Sequence, residues 1–270
     1  MNETMREERK IEARRILKLA ENYPEKVNNA FEDTVYVPYP MNYGFEIRVP
    51  GVNTLVRNTK KDKKNVIHFT FYDTVTALRQ AHERFKNDED IEKICVLNFA
   101  SYKKPGGGFL KGSKSQEEDI CMSSFLYPVL AQFIPVYDLR KKRNGEYGND
   151  LFYSTDMPFL NESKTEFGFY ADVISCSAPN RGVMLKKEIS ESYITKILMD
   201  RIESVFKIAI LNNVDCLILG AFGTGVYKNN VFTVASVFDM MCEKYHQFFK
   251  NIIFAIPDQA KLNIFMEVIK

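Results

Sequence analysis

The sequence predicts an α/β fold with a parallel sheet, and two observations support that class. From Val66 onward, short apolar runs typical of strands alternate with longer segments of helical periodicity. The first unit is a strand at 66–72, a helix capped by Asp73 that runs to about Phe85, and a strand at 94–99. The chain has 270 residues, 45% of them hydrophobic, which is enough for a substantial core. A parallel sheet covered by helices follows from this rhythm.

The later part of the chain continues the alternation. It predicts a helix from Gln116, a strand near 167–178, a helix at 190–212, a strand at 215–220, a helix from about Val231, a strand at 251–256 and a final helix. Residues 139–150 are polar and basic, which predicts a surface loop.

An N-terminal extension precedes this core. Residues 4–22 have the spacing of an amphipathic helix, which we expect to pack on the main body. Residues 23–65 are rich in Pro and Asn, contain a short alternating strand at 45–49 and end in a lysine cluster at 60–64. We therefore predict residues 1–65 as an extension packed on a core of residues 66–270.

Composition and charge exclude several classes of protein. Lys and Arg number 37 and Asp and Glu 35, so 37 − 35 leaves a net charge of only +2. No apolar run approaches the roughly 20 residues that cross a bilayer, and the N-terminus lacks a signal-type apolar stretch. The five cysteines and three histidines are scattered, which favours reduced, buried thiols over disulfides or a metal site. We expect a soluble, cytoplasmic protein that needs no metal or cofactor and contacts no membrane.

A glycine triplet and an acid pair form the first candidate site. Gly106, Gly107 and Gly108 follow the strand at 94–99, and ligands bind at the carboxyl ends of strands in open α/β sheets. Glu117 and Glu118 come directly after this loop, and adjacent carboxyl groups can differ in ionisation and role. Two simpler interpretations stay open at this point: a flexible turn at the glycines, and a capping box between Ser115 and Glu118.

A second glycine loop connects the strand at 215–220 to the next helix. Its sequence from Ala221 is Ala-Phe-Gly-Thr-Gly-Val-Tyr, and free amides there could hold a diphosphate with help from the helix dipole. The glycine spacing does not match the dinucleotide fingerprint, and there is no Gly-Lys-Ser/Thr of a P-loop. Tyr227 could pack on a ribose or be an ordinary buried aromatic. The two loops together describe a cleft suited to adenosine diphosphate ribose.

These residues carry a resemblance to a known family. Pro-Gly-Gly-Gly-Phe-Leu from Pro105, followed by Gln-Glu-Glu from Gln116, resembles the signature of microbial-type poly(ADP-ribose) glycohydrolases, a branch of the macrodomain fold. Supporting matches lie at 97–101, 124–128, 177–180 and 219–227, in the order the family shows. The resemblance implies a macrodomain-like three-layer α/β/α core with a mixed central sheet, here with an N-terminal helical extension.

The resemblance also implies an activity and a set of roles. It implies hydrolysis of the ribose–ribose O-glycosidic bond of poly(ADP-ribose) to release ADP-ribose, with Glu118 acting first as acid and then as base. Glu117 would hold the ribose hydroxyls, and Gln116 would support the site. The implied ligand-binding residues are Asn98, Gly106, Gly107, Gly108, Gln116, Gly223, Thr224, Gly225, Val226, Tyr227 and, for adenine, Asp73. An N-cap role for Asp73 is an equal alternative.

Departures from the family and alternative functions remain at this stage. Phe222 and Thr224 stand where relatives commonly have Trp and Cys, and Tyr227 stands where Phe is usual. The alternatives are a mono-ADP-ribosyl hydrolase and a non-catalytic ADP-ribose-binding macrodomain, although a pure binding module needs no paired carboxylate. The expected partners are ADP-ribose and poly(ADP-ribose) chains on modified proteins, and nucleic acid only as an ADP-ribosylated substrate. The basic segments 60–64 and 141–143 could attract such chains, but lysine runs of this kind are more often simply solvated surface.

Overall fold

A seven-stranded sheet lies at the centre of this computed structural model, which describes residues 1–38, 66–89, 91–141 and 148–270. The strands are β1 (Thr34–Val37), β2 (Val66–Thr70), β3 (Ile94–Phe99), β4 (Leu151–Leu160), β5 (Phe167–Cys176), β6 (Cys216–Leu219) and β7 (Asn251–Ala255). Their order across the sheet is β1-β4-β5-β3-β6-β7-β2.

The sheet is mixed. The neighbouring pairs among β5, β3, β6, β7 and β2 are all parallel, as the alternation of strands and helices predicts. The strand β4 is antiparallel to both β5 and β1. Residues 161–166 join β4 to β5, and so short a connection can only return the chain in the opposite direction. The parallel arrangement expected from the alternation therefore does not extend to this edge, and the mixed sheet implied by the resemblance is confirmed.

Helices cover both faces of the sheet. They are α1 (Glu3–Ala20), α2 (Pro24–Glu32), α3 (Thr74–Phe85), α4 (Gln116–Cys121), α5 (Leu126–Leu130), α6 (Ile134–Lys141), α7 (Arg181–Leu185), α8 (Glu191–Leu211), α9 (Val231–Tyr245) and α10 (Gln259–Val268). Val96 of β3 and Ile218 of β6 face a buried cluster with α1, α3, α4 and α5. Leu97 and Leu219 face the opposite cluster, with α8, α9 and α10. Since strand residues alternate between faces, the result is three α/β/α layers.

The N-terminal segment contributes to the sheet as well as packing on it. The predicted helix at 4–22 is α1, which buries Ala13, Ile16 and Ala20. The segment 23–65 was expected to be an extension with one short strand at 45–49 and a solvated turn, and the sequence analysis did not predict α2 and the edge strand β1, which it contains. The predicted strand at 45–49 and the lysine cluster at 60–64 lie outside the described residues. The domain boundary at residue 65 stays a prediction.

Other elements agree closely with the sequence-based expectations. The predicted strands at 66–72, 94–99, 167–178, 215–220 and 251–256 correspond to β2, β3, β5, β6 and β7. The sequence analysis missed β4 and the helices α5 and α6. It also placed a surface loop at 139–150, but α6 runs to Lys141, and Asn149 and Asp150 are buried. Residues 142–147 of that loop lie outside the described residues.

The cysteines are free, and all five are buried, as the sequence analysis expected. Three of them, Cys95, Cys176 and Cys216, lie in β3, β5 and β6. Among the helices in the described ranges, none has both the length and the apolar character needed to cross a membrane.

Candidate active site

The topology places a crevice between the carboxyl ends of β3 and β6. These strands are parallel neighbours, with Val96 opposite Ile218. After β3 the chain continues to β4 and β5, which lie on one side of it in the sheet, and after β6 it continues to β7, which lies on the other side. The two connections therefore run in opposite directions across the sheet. Such a switch point is where open α/β sheets bind ligands. A cavity of about 800 Å³ lies at this place, and residues of both loops line it.

The glycine triplet brings main chain against the acid pair. Gly106 and Gly107 have φ angles of +60° and +56°, in the left-handed region that favours glycine. A Cβ at Gly107 would lie 2.6 Å from Oε1 of Glu118 and 2.7 Å from Oε2 of Glu117. The loop is therefore a close-fitting wall of the acid pair, and the interpretation as a mere flexible turn does not account for it.

Each carboxyl group of the pair is held by its own donors. The amide of Ser101 donates to Oε2 of Glu117 at 2.8 Å, and the amide of Gly108 donates to Oε1 of Glu118 at 2.7 Å. The hydroxyl of Ser115 donates to Oε2 of Glu118. The Ser115 side chain caps no helix amide, so the capping-box interpretation is wrong. Glu118 is instead bound to the serine hydroxyl and the glycine loop.

Both acids are buried, unlike ordinary surface carboxylates. Glu117 and Glu118 are 3% and 5% exposed. Burial raises the pKa of Glu117 to about 8, although the hydrogen bond from the Ser101 amide acts in the opposite direction. At neutral pH Glu117 therefore carries a proton.

No group of three or more His, Cys, Asp and Glu residues suited to a metal ion occurs in the described part of the chain.

Two buried oxygen atoms at this place lack partners. Oε1 of Glu117 and Oδ1 of Asn98 make no hydrogen bond to any described residue, although both are shielded from solvent. The other end of the Asn98 amide donates to Oγ of Ser175 at 3.0 Å, which fixes its orientation. An unsatisfied buried polar atom is costly unless a ligand supplies its partner. Hydroxyl groups of a bound sugar can both donate and accept hydrogen bonds.

Gln116 connects the acid-bearing helix to the end of β3. Its Oε1 accepts from the amide of Phe99 at 2.8 Å, and its Nε2 donates to the carbonyl of Leu97 at 2.7 Å. Nε2 also lies 3.1 Å from Oγ1 of Thr74, at the start of α3. These bonds anchor the first turn of α4, which carries the acid pair, against β3.

The second glycine loop, which follows β6 and is called the late loop below, has free amide groups. The amides of Gly223, Gly225 and Val226 have no acceptor among the residues that the structure describes. Gly223 has a φ of +69°, and the Asn229 side chain donates to its carbonyl at 3.0 Å. The helix α9 begins only at Val231 behind its cap Asn230, so the loop rather than the first helical turn supplies these amides. An anion could be bound by them.

Asp73 and Tyr227 each have a structural role and a position from which they could contact a ligand. Asp73 caps α3, accepting from the amides of Val75 and Thr76 at 3.0 Å each, and it also lines the cavity. Tyr227 packs against the buried cluster that contains α8, α9 and α10, and it also lines the cavity. Each residue therefore has a structural contact and a ligand-facing position together.

The cavity gathers most of the predicted site residues. Its lining includes Asp73, Gly107, Gly108, Gln116, Glu117, Glu118, Gly223, Thr224, Gly225, Val226 and Tyr227. Asn98 and Gly106 do not line it. Asn98 is fully buried, and Gly106 is packed against Tyr127 and Cys121, where a Cβ would lie 2.7 Å from Cδ2 of Tyr127. From this position Gly106 packs the glycine loop against its neighbours, and the structure does not support a direct contact between Gly106 and a ligand.

Several functional candidates escaped the sequence analysis. Lys103, Lys104, Lys111 and Lys114 line the cavity from the glycine-loop side, and residues 255–258 with Lys261 line it from the end of β7. The second group could have been found, because the carboxyl end of a predicted parallel strand is itself the signal. The lysines carry no local signal that separates them from other surface lysines.

Helix α1 braces the glycine loop from outside the cavity. The Arg6 side chain donates to the carbonyl of Lys111 at 3.0 Å. The Arg9 side chain donates to the carbonyl of Ser113 at 2.9 Å and pairs with Asp119 of α4 at 2.7 Å. Gly112, with φ +67°, packs directly on the backbone of Arg6. The N-terminal helix thus fixes both the loop and the helix that carry the site.

Comparisons with known proteins agree with this architecture. The poly(ADP-ribose) glycohydrolase from Thermomonospora curvata has 23% sequence identity and a TM-score of 0.82, with 97% of this chain and 99% of that chain covered. The poly(ADP-ribose) glycohydrolase from Deinococcus radiodurans, solved in complex with ADP-ribose, has 25% identity and a TM-score of 0.70, with 90% of this chain and 97% of that chain covered. These likenesses confirm the macrodomain-like fold class.

Sequence comparison identifies the family directly. No curated protein matches the chain. The family described as microbial-type PARG, catalytic domain, where PARG is poly(ADP-ribose) glycohydrolase, matches residues 12–162, more than half of the 270 residues. The matched segment contains the glycine triplet and the acid pair. This chain belongs to the microbial-type poly(ADP-ribose) glycohydrolase family.

Proposed function

We propose that this chain hydrolyses the ribose–ribose O-glycosidic bond of poly(ADP-ribose) and releases ADP-ribose from the cleft between β3 and β6. One observation carries the proposal: a buried pair of carboxyl groups and a loop with free amides line the same cavity. An ADP-ribose unit has a diphosphate for the amides and a ribose at the reacting bond for the acids. Family membership supports the same activity.

Glu118 carries the proton transfers in this proposal. Its carboxylic acid protonates the oxygen that leaves with the rest of the chain, and the resulting carboxylate takes a proton from the water that attacks the oxocarbenium-like carbon. The acid is regenerated, and one water is consumed per bond cleaved. The Gly108 amide and the Ser115 hydroxyl hold one carboxyl oxygen each, which keeps the group aimed as it changes ionisation.

Glu117 binds the ribose that reacts. Its Oε2 accepts from the Ser101 amide, so the proton of the neutral acid lies on the unpartnered Oε1, which would donate to a ribose oxygen. Asn98 is buried behind the cavity lining, and its contact with a ribose stays a prediction. A neutral Glu117 also keeps a second negative charge away from Glu118 and from the diphosphate of the ligand. The other parts of ADP-ribose have their own proposed contacts. The free amides of the late loop bind the diphosphate, Tyr227 packs on the ribose, and Asp73 accepts a hydrogen bond from the adenine amine.

The cytoplasm is the proposed location of this activity. The free state of all five cysteines supports a reducing compartment. ADP-ribose and poly(ADP-ribose) chains on modified proteins are the proposed partners, and nucleic acid enters only where it carries ADP-ribose.

The experiment that tests the proposal offers the purified chain two defined substrates. One is a protein carrying poly(ADP-ribose) chains, and the other is the same protein carrying single ADP-ribose units. We expect release of free ADP-ribose with progressive shortening of the chains. Release from single units alone would instead assign a mono-ADP-ribosyl hydrolase. Tight binding of ADP-ribose with no release from either substrate would assign a binding module.

Glu117→Gln tests the raised pKa of that acid. Because the folded pKa of about 8 lies above the ordinary value of 4.5, the folded state keeps a proton that the unfolded state loses between these pH values. The free energy of unfolding should therefore fall more steeply with rising pH in the wild type than in Glu117→Gln. The difference between the two slopes should be about 1.4 kcal/mol per pH unit. Denaturant unfolding at pH 5.5, 6.5 and 7.5 measures the difference.

The control for this experiment is Glu25→Gln, which removes an exposed acid on α2. It should keep the pH slope of the wild type. Parallel slopes for the wild type and Glu117→Gln would show that Glu117 is ionised at neutral pH.

Gly225→Val tests the diphosphate loop. A Cβ at Gly225 meets no atom within 4 Å, so a side chain at this position starts in open space in the ligand-free protein. Gly223→Val is less suitable, because a Cβ at Gly223 would overlap Ala178 and the φ of +69° disfavours any side chain. We expect Gly225→Val to raise the Kd for ADP-ribose at least about tenfold, or 1.4 kcal/mol. Calorimetry measures the Kd, and an unchanged melting temperature confirms the fold. A wild-type Kd in the folded variant would reject this placement of the diphosphate.

A further inference from the structure

Four exposed lysines line the cleft on the side of the acid pair. They all lie in the segment between β3 and α4, which also carries the glycine triplet: Lys103, Lys104, Lys111 and Lys114. None of them has an ion pair with a described residue. The fifth lysine that lines the cleft, Lys261, pairs with Asp258 at 3.3 Å.

The backbone of this lysine rim, residues 103–114, is held by α1 at its C-terminal end. The Lys111 carbonyl accepts from Arg6, and the Ser113 carbonyl accepts from Arg9, so two of the four lysines project from a segment that α1 braces. Like charges on one wall of a cleft repel one another, and an anion bound among them would relieve the repulsion. The rim is thus a positively charged surface that lines the cleft.

The proposed function leaves this rim without a ligand. A terminal ADP-ribose unit contains one diphosphate, and the free amides of the loop at Gly223, Gly225 and Val226 already account for it. In a chain, however, the reacting ribose is bonded to a second ADP-ribose unit, whose own diphosphate lies beyond the scissile bond. A protein-linked single unit has no such diphosphate.

Resting on the proposed function, we propose that Lys103, Lys104, Lys111 and Lys114 form a subsite for the diphosphate of the adjoining ADP-ribose unit. The rim then binds the part of the chain that departs after cleavage. It distinguishes a polymer from a single unit by charge rather than by shape. Its contribution falls as salt concentration rises, because exposed lysines and phosphates are screened.

Binding of a two-unit ADP-ribose chain tests this subsite. The affinities of the dimer and of monomeric ADP-ribose are measured by calorimetry in the Glu118→Gln background, which keeps the dimer intact. We expect Lys103→Gln/Lys104→Gln and Lys111→Gln/Lys114→Gln each to raise the Kd of the dimer about tenfold. The Kd of the monomer should stay within about twofold. The matched control is Lys186→Gln/Lys270→Gln, which removes two exposed charges away from the cleft and should change neither Kd.

The outcomes separate this proposal from the proposed function. Unchanged dimer affinity in both lysine pairs overturns the subsite, whether or not the wild type releases ADP-ribose. Equal weakening of monomer and dimer also overturns it, because the lysines would then serve the terminal diphosphate. A single-stranded DNA oligonucleotide that displaces the dimer at equal charge concentration would show an unselective basic surface, which rejects the subsite. Absence of ADP-ribose release by the wild type rejects the proposed function on its own.

Discussion

Glu118→Gln is expected to lower kcat for ADP-ribose release by about 10³-fold or more while the Kd for ADP-ribose stays within a few fold. Glutamine keeps the shape of the side chain and can accept from the Gly108 amide, but it can neither donate a proton to the leaving oxygen nor take one from water. Loss of both transfers removes the whole contribution of general acid and base catalysis, which is about 10² to 10⁴ in rate. Turnover of poly(ADP-ribose) chains and calorimetry with ADP-ribose measure the two quantities.

Two companion variants show whether the loss is specific. Ser115→Ala removes the hydroxyl that donates to Glu118 but leaves the carboxyl group, so a much smaller loss of kcat is expected. Glu117→Gln keeps the neutral state that burial favours at that position, and it should retain much of the activity at pH 7. If Glu117→Gln were inactive and Glu118→Gln active, the acid and base roles would belong to Glu117.

Most of the candidate residues predicted from the sequence line one cavity, because they lie in short segments that follow strands. The strand β3 has the predicted bounds, and the loops after β3 and β6 each contain their own glycines. Parallel strands have their carboxyl ends at one edge, so the two loops were expected to meet although about a hundred residues separate them. The structure adds the positive φ of Gly107 and the unpartnered oxygen of Glu117, which depend on neighbours brought together by folding.

The missed features depend on contacts between distant segments. The strand β1 has only four residues and pairs antiparallel with β4, and nothing local distinguishes such an edge strand from an irregular segment. The brace from Arg9 to Ser113 and Asp119 joins residues more than a hundred positions apart. The capping box at Ser115 failed for another reason: the pattern fits, but the hydroxyl donates to the Glu118 carboxyl instead of accepting from an amide.

Gly107→Ala is expected to lower kcat/KM about 100-fold or more and to lower the melting temperature by several degrees. At φ +56° an alanine costs about 1–2 kcal/mol of conformational free energy. Its Cβ would also lie 2.6 Å from Oε1 of Glu118 and 2.7 Å from Oε2 of Glu117, so both carboxyl groups must move. These are the oxygens that the Gly108 and Ser101 amides hold, and a displacement of a fraction of an ångström misaligns the acid pair.

The comparison that isolates this effect is Gly182→Ala in α7. The nearest atoms to a Cβ there belong to the flexible Lys228 side chain, at 3.3 and 3.7 Å, and the backbone conformation suits any residue. That variant should keep full activity and at least the wild-type melting temperature, because alanine restricts the unfolded chain. Wild-type kcat/KM in Gly107→Ala would mean that the acids tolerate a methyl group between them and the loop. The close fit of main chain to carboxyl groups would then have no catalytic role.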